Sequence, residues 1–293
     1  MAAATANTDE ETQAQVVPDE RQSRTPHGTR RRITYRHSVI VRLTHWINAA
    51  CIVFLLMSGL QIFNAHPALY WGNASNFEQP LLSLHAEINS DETPVGVAQV
   101  FGHTFPTTGV LGLSEYNGRL VERGFPAWIT IPPQPDLATG RVWHFFFVWV
   151  FVVNGLIYLG YTLLTRHFWR DLWPTREQLR HFGASLLDHL RLRFPRGEEA
   201  TRYNVLQKLT YLAVVLVLLP LVVATGLAMS PGIDAALAWL PQLFGGRQSA
   251  RTFHFVAAWL IVLFTVVHVL ALILSSPWNG LRSMVTGRFV VKT

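Results

Sequence analysis

The sequence predicts an all-α integral membrane protein: a four-helix transmembrane bundle with a long periplasmic cap and a cytoplasmic amphipathic helix. Three observations predict it. Half of the 293 residues are apolar and only 14% are charged, a balance unlike that of a soluble domain. Four apolar runs are long enough to cross a bilayer, and the last, Thr252 to Ser275, contains no Asp, Glu, Lys or Arg. The cations also sort by side, 19 of the 24 Lys and Arg falling in residues 1–42, 165–208 and 275–293. With four spans those stretches share one face, so both termini are predicted to be cytoplasmic. The same sorting explains the net charge of +6 without nucleic acid as a partner.

Residues 1–36 are polar and then Arg-rich, with no apolar periodicity, and read as a disordered cytoplasmic tail. No cleavable signal sequence is expected, because the first apolar run starts only near Val39. The spans are placed at about 39–63, 142–164, 209–229 and 252–275. Pro220 should disturb the third. Residues 64–141 are long, aromatic and rich in Gly and Pro, which predicts an ordered periplasmic cap with a docking surface. Between 176 and 194, Leu179, Phe182, Leu186, Leu190 and Phe194 recur at helical spacing, and Thr175 with Gln178 forms a capping box. That stretch is an amphipathic helix on the cytoplasmic face. Residues 233–243 are expected to form a short interfacial helix. No internal repeat is evident. The single Cys51 excludes a disulfide framework, an iron–sulfur cluster and a covalent haem motif.

Four of the twelve histidines lie in or at the edge of spans: His45, His144, His254 and His268. His254 and His268 are 14 residues apart on one span, just under four turns, so they share a face and stand roughly 21 Å apart along the axis. Chain direction sorts the four by depth into His45 with His268 near the cytoplasm and His144 with His254 near the periplasm. Arg42, Arg141 and Arg251 each precede a histidine by three residues, on the same helix face and one turn nearer water. Ionisable groups within a span are costly and point to function. A histidine ligating iron below an arginine that takes a propionate accounts for the pattern, with two axial imidazoles per haem and no open position. A lone histidine in a span is more often a polar residue between helices. A structural zinc site needs four ligands together, which two separated pairs cannot supply. A proton-relay transporter is the non-haem rival.

Arg42-Leu43-Thr44-His45-Trp46, Arg141-Val142-Trp143-His144 and the His254/His268 pair resemble the four-span dihaem b-type cytochromes that serve as membrane subunits of hydrogenases and formate dehydrogenase, and the wider bacterial cytochrome b561 group. The resemblance implies two haem b groups and a dihaem cytochrome b membrane domain over residues 37–293. Tyr203-Asn204-Val205-Leu206-Gln207-Lys208 is similar to the family's stretch beside the cytoplasmic haem, which implies quinone contacts for Asn204, Gln207 and the region of His268. Helix capping and interface hydrogen bonding would account equally for those two amides. The implied function is electron transfer between a periplasmic oxidoreductase subunit, of molybdopterin or hydrogenase type, and the quinone pool. The long 64–141 segment looks more like that of cytochromes paired with a periplasmic molybdopterin enzyme of the sulfite-oxidase or thiosulfate-reductase type. A stand-alone oxidase of a small donor such as superoxide is the alternative within the same cofactor class. His66, His85 and His103 in the cap stay outside the site.

Overall fold

The computed structural model describes residues 31–166, 168–169, 173–180, 182–191 and 205–292. Four helices are long and apolar enough to cross a membrane. The first is α1 (Val39–Asn64), capped by the Ser38 side chain, and the second is α2 (Leu137–Leu164), capped by Asp136. The amphipathic stretch folds as α3 (Arg176–Arg180) and α4 (Phe182–Leu190). Its capping box forms as the sequence predicts. The Gln178 amide N–H donates to Thr175 Oγ1 at 3.2 Å, and the Thr175 amide N–H donates to Gln178 Oε1 at 3.1 Å. Phe194 lies outside the described residues.

The third span, Val205–Ala228, is made of α5 (Val205–Ala213), a π-helical turn at Val214–Leu218 and α6 (Leu219–Ala228). Pro220 is the source of the irregularity. It has no N–H to give the carbonyl four residues back, and that carbonyl lies in the π turn. Two short helices, α7 (Pro231–Ala236) and α8 (Trp239–Leu243), fill the predicted 233–243 position. The fourth span is α9 (Arg247–Ser275), followed by α10 (Pro277–Thr286). The four long helices overlap the expected spans, the first within one residue, and the other three begin four or five residues earlier than expected.

The insertion between α1 and α2 is an ordered cap, and its architecture is β. Strands β2 (Ala68–Leu69), β3 (Leu82–Ile88), β4 (Pro94–Val100) and β5 (His103–Pro106) form one antiparallel sheet in that order. Strands β6 (Gly112–Tyr116) and β7 (Arg119–Arg123) form a second. Leu69, Leu84, Ala98 and Phe125 of the cap close a core with Leu60 and Phe63 of α1, and Phe255 of α9 packs on it. Burying that apolar surface seats the cap on the bundle.

Polar contacts fix the seat. Arg123 is 4% exposed. Its guanidinium donates to the Phe125 and Pro133 carbonyls at 2.7 and 2.9 Å, to Thr130 Oγ1 at 2.9 Å and to Gln61 Oε1 at 3.4 Å. On the other flank, the Gly72 carbonyl accepts from the amides of Gln248 and Ser249 at 3.0 and 3.1 Å, satisfying two free N–H groups of the first turn of α9. Gly246, just before that turn, has φ +118°, and a Cβ there would stand 2.5 Å from the Gly72 carbonyl oxygen. Only glycine fits both the backbone and the gap.

At the opposite end of the bundle, β1 (Arg31–Tyr35) pairs antiparallel with β8 (Arg288–Lys292). This corrects the expectation that the polar tail runs disordered through residue 36. Five of those residues are held by a strand more than 250 positions away in sequence, a partner that local composition does not disclose.

A candidate dihaem site

The four span histidines meet as two pairs. On α1 and α9, the rings of His45 and His268 have centroids 6.3 Å apart at an interplanar angle of 62°. On α2 and α9, those of His144 and His254 stand 6.4 Å apart at 60°. Depth alone predicted that pairing. Among the described residues no group of three or more His, Cys, Asp or Glu side chains converges. Each site therefore offers two nitrogen donors. That donor set suits a metal whose remaining ligands come from a macrocycle.

The spacing is a direct test of fit. Two metal–imidazole bonds of about 2.0–2.1 Å in line, each ring nitrogen about 1.1 Å from its centroid, would put the centroids roughly 6.2–6.4 Å apart. Both pairs stand at about that separation.

The surroundings of the two pairs differ. On the cap side, His144 Nδ1 lies 3.1 Å from Ser58 Oγ of α1, and His254 Nδ1 lies 3.2 Å from Thr225 Oγ1 of α6. Ser58 and Thr225 are completely buried. On the far side, His45 packs edge-on against Trp46, His268 stacks on Phe264, and His268 is the most open of the four. At about the same depth, the Tyr211 hydroxyl donates to the Tyr158 hydroxyl at 2.6 Å, and the Asn154 amide donates to the Thr44 carbonyl and to Asn48 Oδ1 at 2.8 and 2.7 Å. These buried polar groups inside the spans escaped the sequence reading, because single polar residues in apolar runs carry no spacing signal.

Each of the three arginines sits a turn outside its histidine. Arg42 Nη1 donates to the Val285 carbonyl, while its Nε is buried with no hydrogen-bond partner. Arg251 Nη2 donates to the His66 carbonyl at 2.5 Å, and its guanidinium lies 5.3 Å from the centre of the Phe63 ring. Arg141 lies over Phe145 at 5.7 Å and is exposed. Among the described residues none of the three has a carboxylate partner. Three cations free of acidic neighbours, one with an orphaned buried N–H, fit the carboxylates of a porphyrin.

Gln207 lies exposed on α5, and Asn204 lies outside the described residues. In the cap, His66 stacks on Tyr70 beside Arg251, His85 bonds to Glu87 at 2.8 Å on β3, and His103 is exposed on β5. They do not converge.

Four apolar spans carrying two facing imidazole pairs define a membrane-embedded haem protein of the b-type class. The chain belongs to the prokaryotic cytochrome b561 family, whose profile matches residues 36–287. It is a multi-pass protein of the inner membrane, and its family carries b-type haem and electrons across that membrane. Among curated proteins it is similar to the putative protein-methionine-sulfoxide reductase subunit YedZ1 of Azospira oryzae, at 26% identity over 233 residues, 80% of this chain and 87% of that protein. No solved structure matches the chain.

Proposed function

We propose that the chain moves electrons between a periplasmic oxidoreductase docked on its cap and the membrane quinone pool, through two bis-histidine b haems. The observation that carries the reading is the pair of ring separations, 6.3 and 6.4 Å, each suited to one axially ligated iron. His144 and His254 hold the haem nearer the cap, and His45 and His268 hold the other. A bound haem supplies reversible one-electron carriage. The histidines would present Nε2 to it, two to each haem, which would leave oxygen no ligand position. Arg251 and Arg141 on the cap side, and Arg42 on the far side, would take the carboxylates of the bound groups. The apolar bundle keeps water from the irons and so helps set their potentials.

The cap exposes Trp71, Phe77, Phe101, Phe105 and Trp128 above the first haem. Aromatic side chains are enriched in protein interfaces. The relative from Azospira oryzae is named as a subunit of a protein-methionine-sulfoxide reductase, and the partner here is taken to be an oxidoreductase subunit of the molybdopterin type rather than of a hydrogenase. The likeness of the Tyr203–Lys208 stretch to the family supports a quinone site at the far end, toward Gln207 and the open edge of His268, with both termini in the cytoplasm and the anionic lipids of that leaflet against the basic segments.

The test is haem stoichiometry. Purified wild type should carry two b haems per chain by pyridine haemochrome assay. His144→Ala should carry one, with the low-spin signal of the other intact. A His144→Ala protein that still holds two haems refutes the pairing.

A further inference from the structure

The two halves of the bundle repeat one design. Asp136, Leu137, Arg141, His144 and Tyr158 stand to Gly246, Arg247, Arg251, His254 and His268 at a single constant offset in the chain. The first of each set precedes a span, and the second opens it. Ser58-Gly59 and Thr225-Gly226 stand to each other at another constant offset, near the cap-side ends of the first and third spans. Each half is thus a helix with a buried hydroxyl followed by glycine, then a helix with Arg-x-x-His. His45 and His268 link the first and fourth spans, and Tyr158 and Tyr211 link the second and third in the equivalent place. The offset from His45 to Tyr211 is one residue shorter than that from Ser58 to Thr225. The π turn at Val214–Leu218 lies between Tyr211 and Thr225 and supplies the extra residue.

The contacts inside the two halves agree closely. Ser58 Oγ donates to the Phe54 carbonyl at 2.6 Å, and Thr225 Oγ1 donates to the Leu221 carbonyl at 2.7 Å, each four residues back. A hydroxyl has one proton, so toward the ring each oxygen is left as an acceptor. Each ring then carries its proton on Nδ1, the atom that faces the hydroxyl oxygen. With Nδ1 protonated, Nε2 holds the lone pair that a metal takes. Each ring lies over the glycine that follows the hydroxyl. A Cβ added at Gly59 or Gly226 would stand 3.4 Å from Cε1 of the facing histidine.

We propose that Ser58 and Thr225 are positioning residues for the haem nearer the cap. They hold the His144 and His254 imidazoles in the Nδ1–H tautomer and fix the planes of the two rings. This rests on the reading of His144 and His254 as its ligands. The far pair has different neighbours, Trp46 and Phe264, so the device acts on one haem of the two. An acceptor at Nδ1–H raises the basicity of the ligand, which favours the oxidised iron.

The experiment compares wild type, Ser58→Ala, Thr225→Ala and the double variant, with Ser58→Thr and Thr225→Ser as conservative rescues. Redox titration followed by the α band and by low-temperature electron paramagnetic resonance resolves the two haems. In the alanine variants the potential of the cap-side haem should move upward and its resonance should change shape, while the far haem stays put and certifies the fold. Loss of the cap-side haem to excess apomyoglobin should be about tenfold faster in the double variant. The conservative variants should restore all three readouts. A double variant indistinguishable from a two-haem wild type overturns the positioning role alone. A wild type whose haem content is unmoved by His144→Ala overturns the ligand assignment and this inference with it.

Discussion

Asn64, the last residue of α1, holds Phe125 of the cap from both sides. Its Nδ2 donates to the Phe125 carbonyl at 3.1 Å, and its Oδ1 accepts from the Phe125 amide at 2.7 Å. One side chain at the membrane edge thereby satisfies both backbone groups of a residue whose ring lies in the cap core. Asn64→Ala leaves both groups without that partner and should cost about 2 kcal/mol. The expected outcome is a lower thermal midpoint in detergent, with both haem spectra unchanged below the transition.

Arg123 should matter still more. Arg123→Met keeps much of the volume and removes the donors that serve two carbonyls, Thr130 and Gln61. Leaving buried acceptors unpaired should cost about 3 kcal/mol. Limited proteolysis should then cut within 64–141 at rates well above wild type, while the spans stay protected.

Gly246 is a second point of failure. Alanine there faces a positive φ and the Gly72 carbonyl oxygen at 2.5 Å. The strain should cost about 1–3 kcal/mol. Hydrogen exchange should rise at Gln248 and Ser249, whose amides would lose the Gly72 carbonyl.

The seat of the cap should also weaken in acid. Burial, and after it the Arg251 guanidinium, hold the His66 imidazole below the ordinary histidine range. The unfolded chain takes up this proton near pH 6.5, whereas the folded chain resists it to a lower pH. This contribution is fully present above about pH 6.5 and is lost as the pH falls from there toward the folded value. Thermal midpoints measured from about pH 7.5 to about pH 5 should decline more steeply in wild type than in His66→Phe, which keeps the ring contact with Tyr70 but has nothing to titrate.

The proposed docking surface makes a kinetic prediction. Phe101→Ser and Trp128→Ser change residues about three-quarters exposed. Stability should barely move. Reduction or oxidation of the haems by the partner should slow on the order of tenfold or more per hot-spot residue, while chemical reduction by dithionite proceeds as in wild type.

Most of the membrane body was legible because its cause is local. A span is a run of apolar residues, the capping box is two residues three apart, and histidine depth follows from chain direction. The cap was legible as ordered but not as β. Its strands are short and pair across loops, and β2 and β5 have two and four residues, too few for alternation to show. The β1–β8 ladder was hidden for the same reason on a longer scale. Ser58 and Thr225 went unread because a hydroxyl in an apolar run looks neutral. The signal that could have found them is the recurrence of hydroxyl-Gly and Arg-x-x-His in both halves. The added residue of the third span puts that recurrence out of step with His45 and Tyr211.

That added residue has a mechanical meaning. Thirteen positions separate His45 from Ser58, and fourteen separate Tyr211 from Thr225, yet both helices present the earlier residue to one neighbour and the later to another. An α-helix turns about 100° per residue, so an added residue in plain α-helix would rotate one end of the span against the other by that angle, and the wider π turn takes it up instead. Removing one residue from Val214–Leu218 should close the π turn into plain α-helix and leave the third span addressing the same two neighbours, as the first does with thirteen positions.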